Sequence, residues 1–412
     1  MQSNLSAEFR DTPDGSRAEA ILRRCVHCGF CTATCPTYQL LGNELDSPRG
    51  RIYLIKQILE GEPVTHTTQQ HLDRCLTCRA CETTCPSGVE YAALLDIGRR
   101  VVAGRIERPP LERLLRVALR ELLDSPVFPA ALAAGRALRP LLPARIRQKV
   151  PAPARKRTWQ PRELPRKVLL PAGCVQPAMA PGIDAATRRV LDTAGIQAIT
   201  APRAGCCGAI RLHLADRPGA QANARAYIDA WWSYVESGQV EAIVSNASGC
   251  GVTIKEYADL FPNGEYTHKA RRVAELARDL SELLPDIVAA VRSQLDPARL
   301  PALVLHVPCT LQHGQKLGDQ LLPALCELGF RVRMAESDDH LCCGSAGTHV
   351  LLQPDLATRL RDRKLAALEP APDEVIVSAN IGCIHHLQTG TPVPVRHWVE
   401  VLDEALDFSG RA

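Results

Sequence analysis

Two short runs near the start of the chain repeat one cysteine spacing. Each run reads C-x2-C-x2-C-x3-C-P, the spacing with which bacterial two-cluster ferredoxins bind a pair of [4Fe–4S] clusters. Cysteine thiolates are the soft ligands that iron in such clusters takes. The spacing therefore predicts two iron–sulfur clusters. The cysteines of the two runs are Cys25, Cys28, Cys31 and Cys35, and Cys75, Cys78, Cys81 and Cys85.

In the two-cluster arrangement the fourth cysteine of each run binds the cluster of the other run. Structural zinc is the alternative, because C-x2-C pairs also form zinc ribbons, but zinc closes on four ligands and needs no third cysteine at the same step. Iron is therefore the favoured metal. The predicted ligand sets are Cys25, Cys28, Cys31 and Cys85 for one [4Fe–4S] cluster, and Cys75, Cys78, Cys81 and Cys35 for the other.

The whole chain supports metal binding rather than disulfide bonding. It has 412 residues, enough for two or three domains, and 17 cysteines. It opens without a basic and apolar leader, so we expect it in the reducing cytoplasm, where disulfides are rare. No apolar run approaches the roughly 18 residues of a membrane span. Any contact with the inner membrane is therefore expected to be peripheral or through a partner.

Residues 1–110 are expected to form a mostly α-helical, dicluster ferredoxin-type domain. The spacer between the runs predicts a helix that Ser47 caps and Gly61 ends, with apolar residues at helical spacing. Arg49 and Arg51, at the start of this helix, either are exposed, which is the commoner position, or point toward a partner or a cluster.

Residues 111–166 are expected to be a basic helical segment and a proline-rich linker. From Arg99 to Lys167, 18 Lys or Arg stand against 5 Asp or Glu, a net charge of +13. The helix that begins at Leu111 is predicted to be amphipathic, with arginines on its solvent-exposed face. Such a helix suits an anionic membrane surface or an acidic partner, and equally a solvated face packed on its own domain. Nucleic acid is disfavoured, because no recognised binding motif accompanies the charge.

The remainder of the chain is a duplicated module, with copies at 167–285 and 286–412. KVLLPAGC, ending at Cys174, matches ALVLHVPC, ending at Cys309, and three further matches are offset by 133 to 136 residues. Each copy alternates β-branched runs with helical patterns, so the predicted fold class is α/β with parallel strands.

Each copy carries four cysteines at predicted strand ends, the edge of an open parallel sheet where ligands bind. Gly208 and Gly344, after the paired cysteines, permit a tight turn. Buried structural cysteines are the alternative reading. Cys326 falls outside the repeat and is expected in the core. The candidate ligands are Cys174, Cys206, Cys207 and Cys250, and Cys309, Cys342, Cys343 and Cys383. Nearby histidines that either complete a metal shell, deliver protons or simply form hydrogen bonds are His306, His313, His340, His349, His385 and His386.

A dicluster half followed by two CCG modules resembles the iron–sulfur subunits of the heterodisulfide reductase type. The phrases SPRGR, SNASGCG and IGCIHHL are most similar to those of glycolate oxidase iron–sulfur subunits. The resemblance implies an electron-transfer subunit of a flavin-dependent glycolate dehydrogenase. It also implies an FAD-containing partner that oxidises glycolate to glyoxylate, a second flavoprotein-like subunit, and electron delivery toward membrane quinone.

The chain departs from the heterodisulfide reductase pattern at Ala247 and Asn380, where that branch has a further cysteine. Additional iron–sulfur clusters in the CCG modules are therefore a separate expectation from the two ferredoxin-type clusters. No nucleotide-binding glycine motif is present, so substrate oxidation is expected on another chain. The alternative function is a quinone- or disulfide-reducing subunit of a lactate or glycerol-3-phosphate dehydrogenase complex, with active CCG modules.

Overall fold

The computed structural model describes residues 1–139, 159–202 and 205–406. Its first part is helical, as predicted, and each cysteine run spans a loop and the short helix that follows it. Residues 151–158 of the predicted proline-rich linker lie outside the described residues. The helices before the first strand are Ala7–Arg10, Pro13–Arg24, Phe30–Ala33, Pro36–Leu41, Pro48–Leu59, His66–Asp73, Ala80–Thr83, Tyr91–Arg105, Pro110–Leu122 and Val127–Ala137, with a 3-10 turn at Glu44–Asp46.

The predicted spacer helix is confirmed and runs over Pro48–Leu59. The Ser47 hydroxyl accepts a hydrogen bond from the Gly50 N–H at 2.9 Å and so caps the first turn. Its apolar face packs on the helix Tyr91–Arg105. The two helices approach closely at Gly98, where an added Cβ would lie 2.6 Å from Ile55 Cγ1. This packing holds the two cysteine runs on one helical framework.

The helix Pro110–Leu122 is present and Arg113 is exposed on it as predicted, but the prediction that its arginines face solvent is wrong for Arg116. Arg116 turns inward, and its Nη2 lies 3.0 Å from Oδ2 of Asp73, which is largely buried. The apolar stripe therefore faces outward, with Leu111 80% exposed and Leu114 65% exposed. Within the described residues, no helix is long and apolar enough to cross a membrane.

Each copy of the repeat folds around a four-stranded parallel sheet, which confirms the predicted α/β class. The strand orders are β2-β1-β3-β4 and β6-β5-β7-β8, so the two sheets share one topology. The strands are β1 Arg166–Leu169, β2 Ile196–Ile199, β3 Ala242–Ser245, β4 Ala277–Asp279, β5 Ala302–Leu305, β6 Arg331–Arg333, β7 Glu374–Ser378 and β8 Val395–His397.

The two copies share one hydrophobic core, which includes Val168 of β1 and Val304 of β5. A buried ion pair joins them as well, with Arg189 Nη2 2.6 Å from Asp403 Oδ2. The remaining helices are Gln176–Met179, Pro181–Thr193, Ala209–His213, Arg217–Glu236, Ser248–Lys255, Tyr257–Leu260, Thr267–Leu276, Leu284–Val291, Leu321–Glu327, His349–Leu352, Pro354–Leu368, Ile381–Gln388 and Trp398–Ala405, with 3-10 turns at Leu280–Leu283, Arg292–Gln294 and Pro297–Arg299 and a π-helix at Thr310–Gly314.

The helical part packs on the repeats through the segment that carries the second cysteine run. Arg79 Nη2 donates to Glu256 Oε2 at 2.7 Å. The hydroxyl of Thr83 lies 3.0 Å from Nδ1 of His313 in the second copy. The second run therefore lies at the boundary between the helical part and the repeats.

Candidate metal centres

The loops that hold the two cysteine runs have the same backbone conformation. The residues on either side of the second cysteine have positive φ in both loops: 58° at His27 and 88° at Gly29, then 54° at Thr77 and 63° at Arg79. Left-handed backbone is uncommon for residues other than glycine. Because this conformation occurs at matched positions, we infer that both loops enclose the same kind of bound group.

Each loop borders a cavity, and the two cavities divide the eight cysteines into two sets of four. The first cavity, of about 440 Å³, is partly open to solvent, and Cys81 also reaches its wall. The second cavity measures about 290 Å³. Each cavity receives three cysteines from one run and the fourth from the other. The sets are Cys25, Cys28, Cys31 and Cys85 around the first cavity, and Cys75, Cys78, Cys81 and Cys35 around the second.

These thiols cannot all ionise without a compensating positive charge. Burial raises the pKa of Cys31 to about 11. Burial and nearby thiols likewise raise the pKa of Cys78 and Cys81 well above the usual value. A bound metal supplies the charge that stabilises such thiolates. Four converging thiol donors in each cavity fit the ligand requirement of a [4Fe–4S] cluster.

Polar groups around the second cavity point toward its sulfurs. The Thr77 N–H donates to Cys75 Sγ at 3.4 Å, and the Tyr91 hydroxyl donates to the same atom at 3.5 Å. Arg51 also borders this cavity and is only 1% exposed. The sequence left open whether Arg51 is exposed or points toward a cluster, because the burial of its partner Asp46, 3.4 Å away, cannot be identified from helical periodicity. Hydrogen bonds and charges of this kind set cluster potentials.

In the first repeat the four candidate thiols form one connected group. Cys174 and Cys207 lie beside Cys206 and lower the pKa of its thiol, and Cys207 also lies beside Cys250. Gly208 has a φ of 90°, and its N–H lies 3.4 Å from Cys206 Sγ. The predicted tight turn after the cysteine pair is therefore present.

The second repeat builds the same arrangement. Sγ of Cys309 lies 3.8 Å from Sγ of Cys342, and Cys343 contacts both Cys342 and Cys383. Gly344 repeats the φ of 90° and the N–H contact to sulfur at 3.4 Å. The structure thus brings each predicted set of four thiols together, and these soft donors fit an iron–sulfur group or another thiophilic metal.

The candidate histidines separate into different roles. Of the six, His306 has a ring nitrogen within 4.8 Å of the sulfurs of Cys343 and Cys383. His313 instead donates from Nε2 to the His340 carbonyl at 2.9 Å. Burial lowers the pKa of His306 to about 3 and of His349 and His385 to about 4. His386 Nε2 donates to the Ala357 carbonyl at 3.0 Å.

The prediction that Cys326 lies in the core is wrong. Its side chain is exposed on the helix Leu321–Glu327. Leu321 and Leu325 occupy the buried face of that short helix, and Cys326 follows Leu325 by one residue, which places it about 100° around the axis. It has no position in either thiol group.

The second cavity and the second repeat's thiols adjoin each other. Cys78 packs in one apolar cluster with Cys309 and Cys342, around the side chains of Leu76 and Leu356. The apolar cluster that contains Cys25, Cys31 and Cys85 of the first cavity includes no residue of either repeat among the described residues. The first cavity, the second cavity and the thiols of the second repeat therefore lie in series.

Comparisons with known proteins agree with this architecture. A family model described as "4Fe-4S dicluster domain" matches residues 21–89, and one described as "Cysteine-rich domain", with the short name CCG, matches residues 168–255 and 303–388. These matches imply iron–sulfur clusters. They also support an electron-transfer role for the chain.

Individual relatives are similar over most of the chain. The glycolate oxidase iron–sulfur subunit of Escherichia coli (strain K12) is 52% identical over 99% of this chain and 100% of its own length. A probable glycolate oxidase iron–sulfur subunit of Bacillus subtilis (strain 168) is 30% identical over 94% of this chain and 92% of its own length. Lactate utilization protein A of an Exiguobacterium species is 23% identical over 57% of this chain and 95% of its own length. The chain belongs to the family of glycolate oxidase iron–sulfur subunits.

Proposed function

We propose that this chain is the electron-transfer subunit of a complex that oxidises glycolate to glyoxylate. An FAD-containing partner, accompanied by a second flavoprotein-like subunit, oxidises the substrate, and this chain passes the electrons toward membrane quinone. The supporting observation is the pair of adjoining cavities, each with four convergent thiols, in a chain 52% identical to a glycolate oxidase iron–sulfur subunit.

The two sets of four cysteines around the cavities are the proposed ligands of two [4Fe–4S] clusters. Such a cluster supplies one-electron oxidation and reduction, which suits electrons that leave a flavin one at a time. The chain itself holds the thiolates and directs N–H and O–H groups at Cys75. The CCG thiols are proposed as ligands of additional iron–sulfur clusters.

The first cavity is the proposed point at which electrons enter. Cys28 is exposed there, and the neighbouring Val26 and Phe30 are 68% and 61% exposed. An exposed apolar rim around a redox centre suits docking of a partner subunit. The second cavity adjoins Cys309 and Cys342 instead, so electrons would leave it toward the second repeat.

Peripheral attachment to the inner membrane is the proposed location, through the outward leucine face of Pro110–Leu122. Residues 99–167 carry a net charge of +13, which complements an anionic lipid surface. Asp124, two residues after this helix, lies beside the first repeat and accepts a hydrogen bond from Asn223 at 2.7 Å. Burial raises the pKa of Asp124, and the nearby Cys206 thiol raises it further. The proposed membrane contact therefore adjoins a thiol group.

Iron analysis and electron transfer test this function together. We expect at least about eight irons in anaerobically reconstituted protein, four in each cluster of a dicluster domain. Cys28→Ser and Cys78→Ser should each abolish glycolate-dependent quinone reduction by the assembled complex. Cys326→Ser is the matched control, since its exposed thiol belongs to neither group.

The comparison of substrates separates the proposal from its alternative. Glycolate should reduce the complex faster than lactate or glycerol 3-phosphate. Turnover that persists in both ferredoxin-site variants would refute the electron-transfer role. Quinone or disulfide reduction by this chain alone, from a chemical donor, would instead support active CCG modules.

A further inference from the structure

The second repeat contains a nitrogen donor beside its thiols, and no such donor accompanies the thiols of the first repeat within the residues that the structure describes. We propose that His306 is a metal ligand, so that the second repeat binds its metal centre through imidazole as well as thiolate. The ligand atoms of His306, Cys343 and Cys383 all lie within 4.8 Å of one another, and all three side chains are buried. This inference concerns the second repeat alone and does not depend on glycolate being the substrate.

The ring of His306 is held in the orientation of a metal-binding histidine. His306 directly follows β5, and its backbone N–H bonds to the Val377 carbonyl at 2.9 Å, which continues the sheet. Its Nδ1 lies 3.0 Å from the Ser378 hydroxyl. Ligating histidines characteristically use one ring nitrogen for such a hydrogen bond and the other for the metal. Nε2 is therefore the assigned ligand atom.

The neighbouring residues complete a mixed sulfur and nitrogen site. Cys343 also contacts Cys342, whose sulfur lies 3.8 Å from that of Cys309, so the trio belongs to a larger thiol group. Asn380 Nδ2 donates to Cys383 Sγ at 3.6 Å and orients this thiol rather than binding metal itself. Thiolate with imidazole suits iron, including iron–sulfur clusters, and zinc.

The duplication provides an internal comparison. Pro171 occupies the position in the first repeat that His306 occupies in the second, because Cys174 aligns with Cys309. Proline offers no ligand atom, and the first repeat's group consists of thiols. The two repeats have the same sheet but different donor sets, so we infer that they bind chemically different centres.

Spectroscopy of the full chain tests this assignment without relying on turnover. Anaerobically isolated protein is prepared with natural and with ¹⁵N-labelled histidine. Pulsed EPR detects histidine nitrogen bound to a paramagnetic iron centre, and X-ray absorption at the zinc edge detects imidazole bound to zinc. We expect one of the two measurements to report a bound imidazole. The absence of a bound imidazole from both would overturn the proposal.

Two substitutions at the site then identify the residue. His306→Ala should lose the nitrogen signal and release metal to a chelator at least about tenfold more readily, in keeping with the usual cost of disturbing a metal site. His306→Cys should retain the metal but lose the nitrogen signal. The metal released, iron or zinc, identifies the centre.

His313→Gln is the matched control, because His313 is also a buried histidine of this repeat but bonds to Thr83 and the His340 carbonyl. It should retain both the signal and the metal. A nitrogen signal that survives in His306→Ala and His306→Cys, or that disappears only in His313→Gln, would refute the assignment. Circular dichroism separates loss of a ligand from loss of the fold.

Discussion

Replacing the outward leucines of Pro110–Leu122 should detach this chain from lipid. Leu111 and Leu114 are 80% and 65% exposed. Full burial of a leucine side chain contributes about 1.5–3 kcal/mol, so the exposed parts of these two contribute at least about 2 kcal/mol when they enter a lipid surface. Because each 1.4 kcal/mol changes an equilibrium tenfold, the double substitution Leu111→Ser, Leu114→Ser should weaken vesicle binding by at least about 30-fold.

The assay is flotation of the cluster-loaded protein with vesicles of phosphatidylcholine and phosphatidylglycerol, under anaerobic conditions. Val26→Ser, Phe30→Ser is the matched control, since it removes two exposed apolar side chains from the rim of the first cavity. The control should bind vesicles as the unmodified chain does. Equal binding by all three proteins, or an equal loss in both variants, would refute the assignment of the membrane contact to this helix.

Three further predictions concern stability and metal retention. Asp46→Ala leaves the buried Arg51 with hydrogen bonds to His71 and Thr37 but without its carboxylate partner, and should cost about 3–5 kcal/mol in the free energy of unfolding, measured by chemical denaturation; a cost below about 1 kcal/mol would contradict it. Gly344→Ala places a Cβ 2.6 Å from the Ala357 carbonyl oxygen and should reduce metal in the second repeat more than Gly208→Ala, where the closest contact is 3.0 Å; equal metal contents would count against this. Burial lowers the pKa of His397 to about 3, against about 6.5 unfolded, so the unfolded chain binds the extra proton and His397 should contribute about 1.4 kcal/mol per pH unit to the loss of stability below pH 6.5. Other buried histidines contribute in the same direction, so His397→Gln should reduce the slope by about that amount, and an unchanged slope would exclude His397 as a source.

Sequence alone predicts the thiol groupings because short-range spacing controls them. In each ferredoxin-type run three cysteines lie within seven consecutive residues, on a loop and the short helix after it, and the loops at Cys28 and Cys78 have the same backbone conformation. The sequence also predicts the fold of the two repeats, because matched β-branched runs predict matched parallel strands. Gly208 and Gly344 have the positive φ expected after a cysteine pair.

What the sequence does not predict depends on partners far away along the chain. Helical periodicity finds the apolar stripe of Pro110–Leu122, but Asp73 decides which side faces inward by binding Arg116 from 43 residues away. Asp46 likewise binds Arg51, and this contact holds the Arg51 side chain in the interior rather than at the surface. The sequence does distinguish His306, because Pro171 occupies its position in the other copy. Only the fold, however, shows that the His306 ring lies beside Cys343.

The crossed arrangement of cysteines has a consequence for how this protein matures. Cys85 closes the first cavity and Cys35 closes the second, so neither set of four is complete until both runs have folded against each other. A nascent chain that ends before Cys81 has neither set of four complete, and one that ends before Cys85 still lacks the fourth ligand of the first cavity. Assembly of the two centres is therefore expected to be concerted, with half-loaded chains rare at equilibrium and iron delivery effective only after residues 25–85 have formed their common framework.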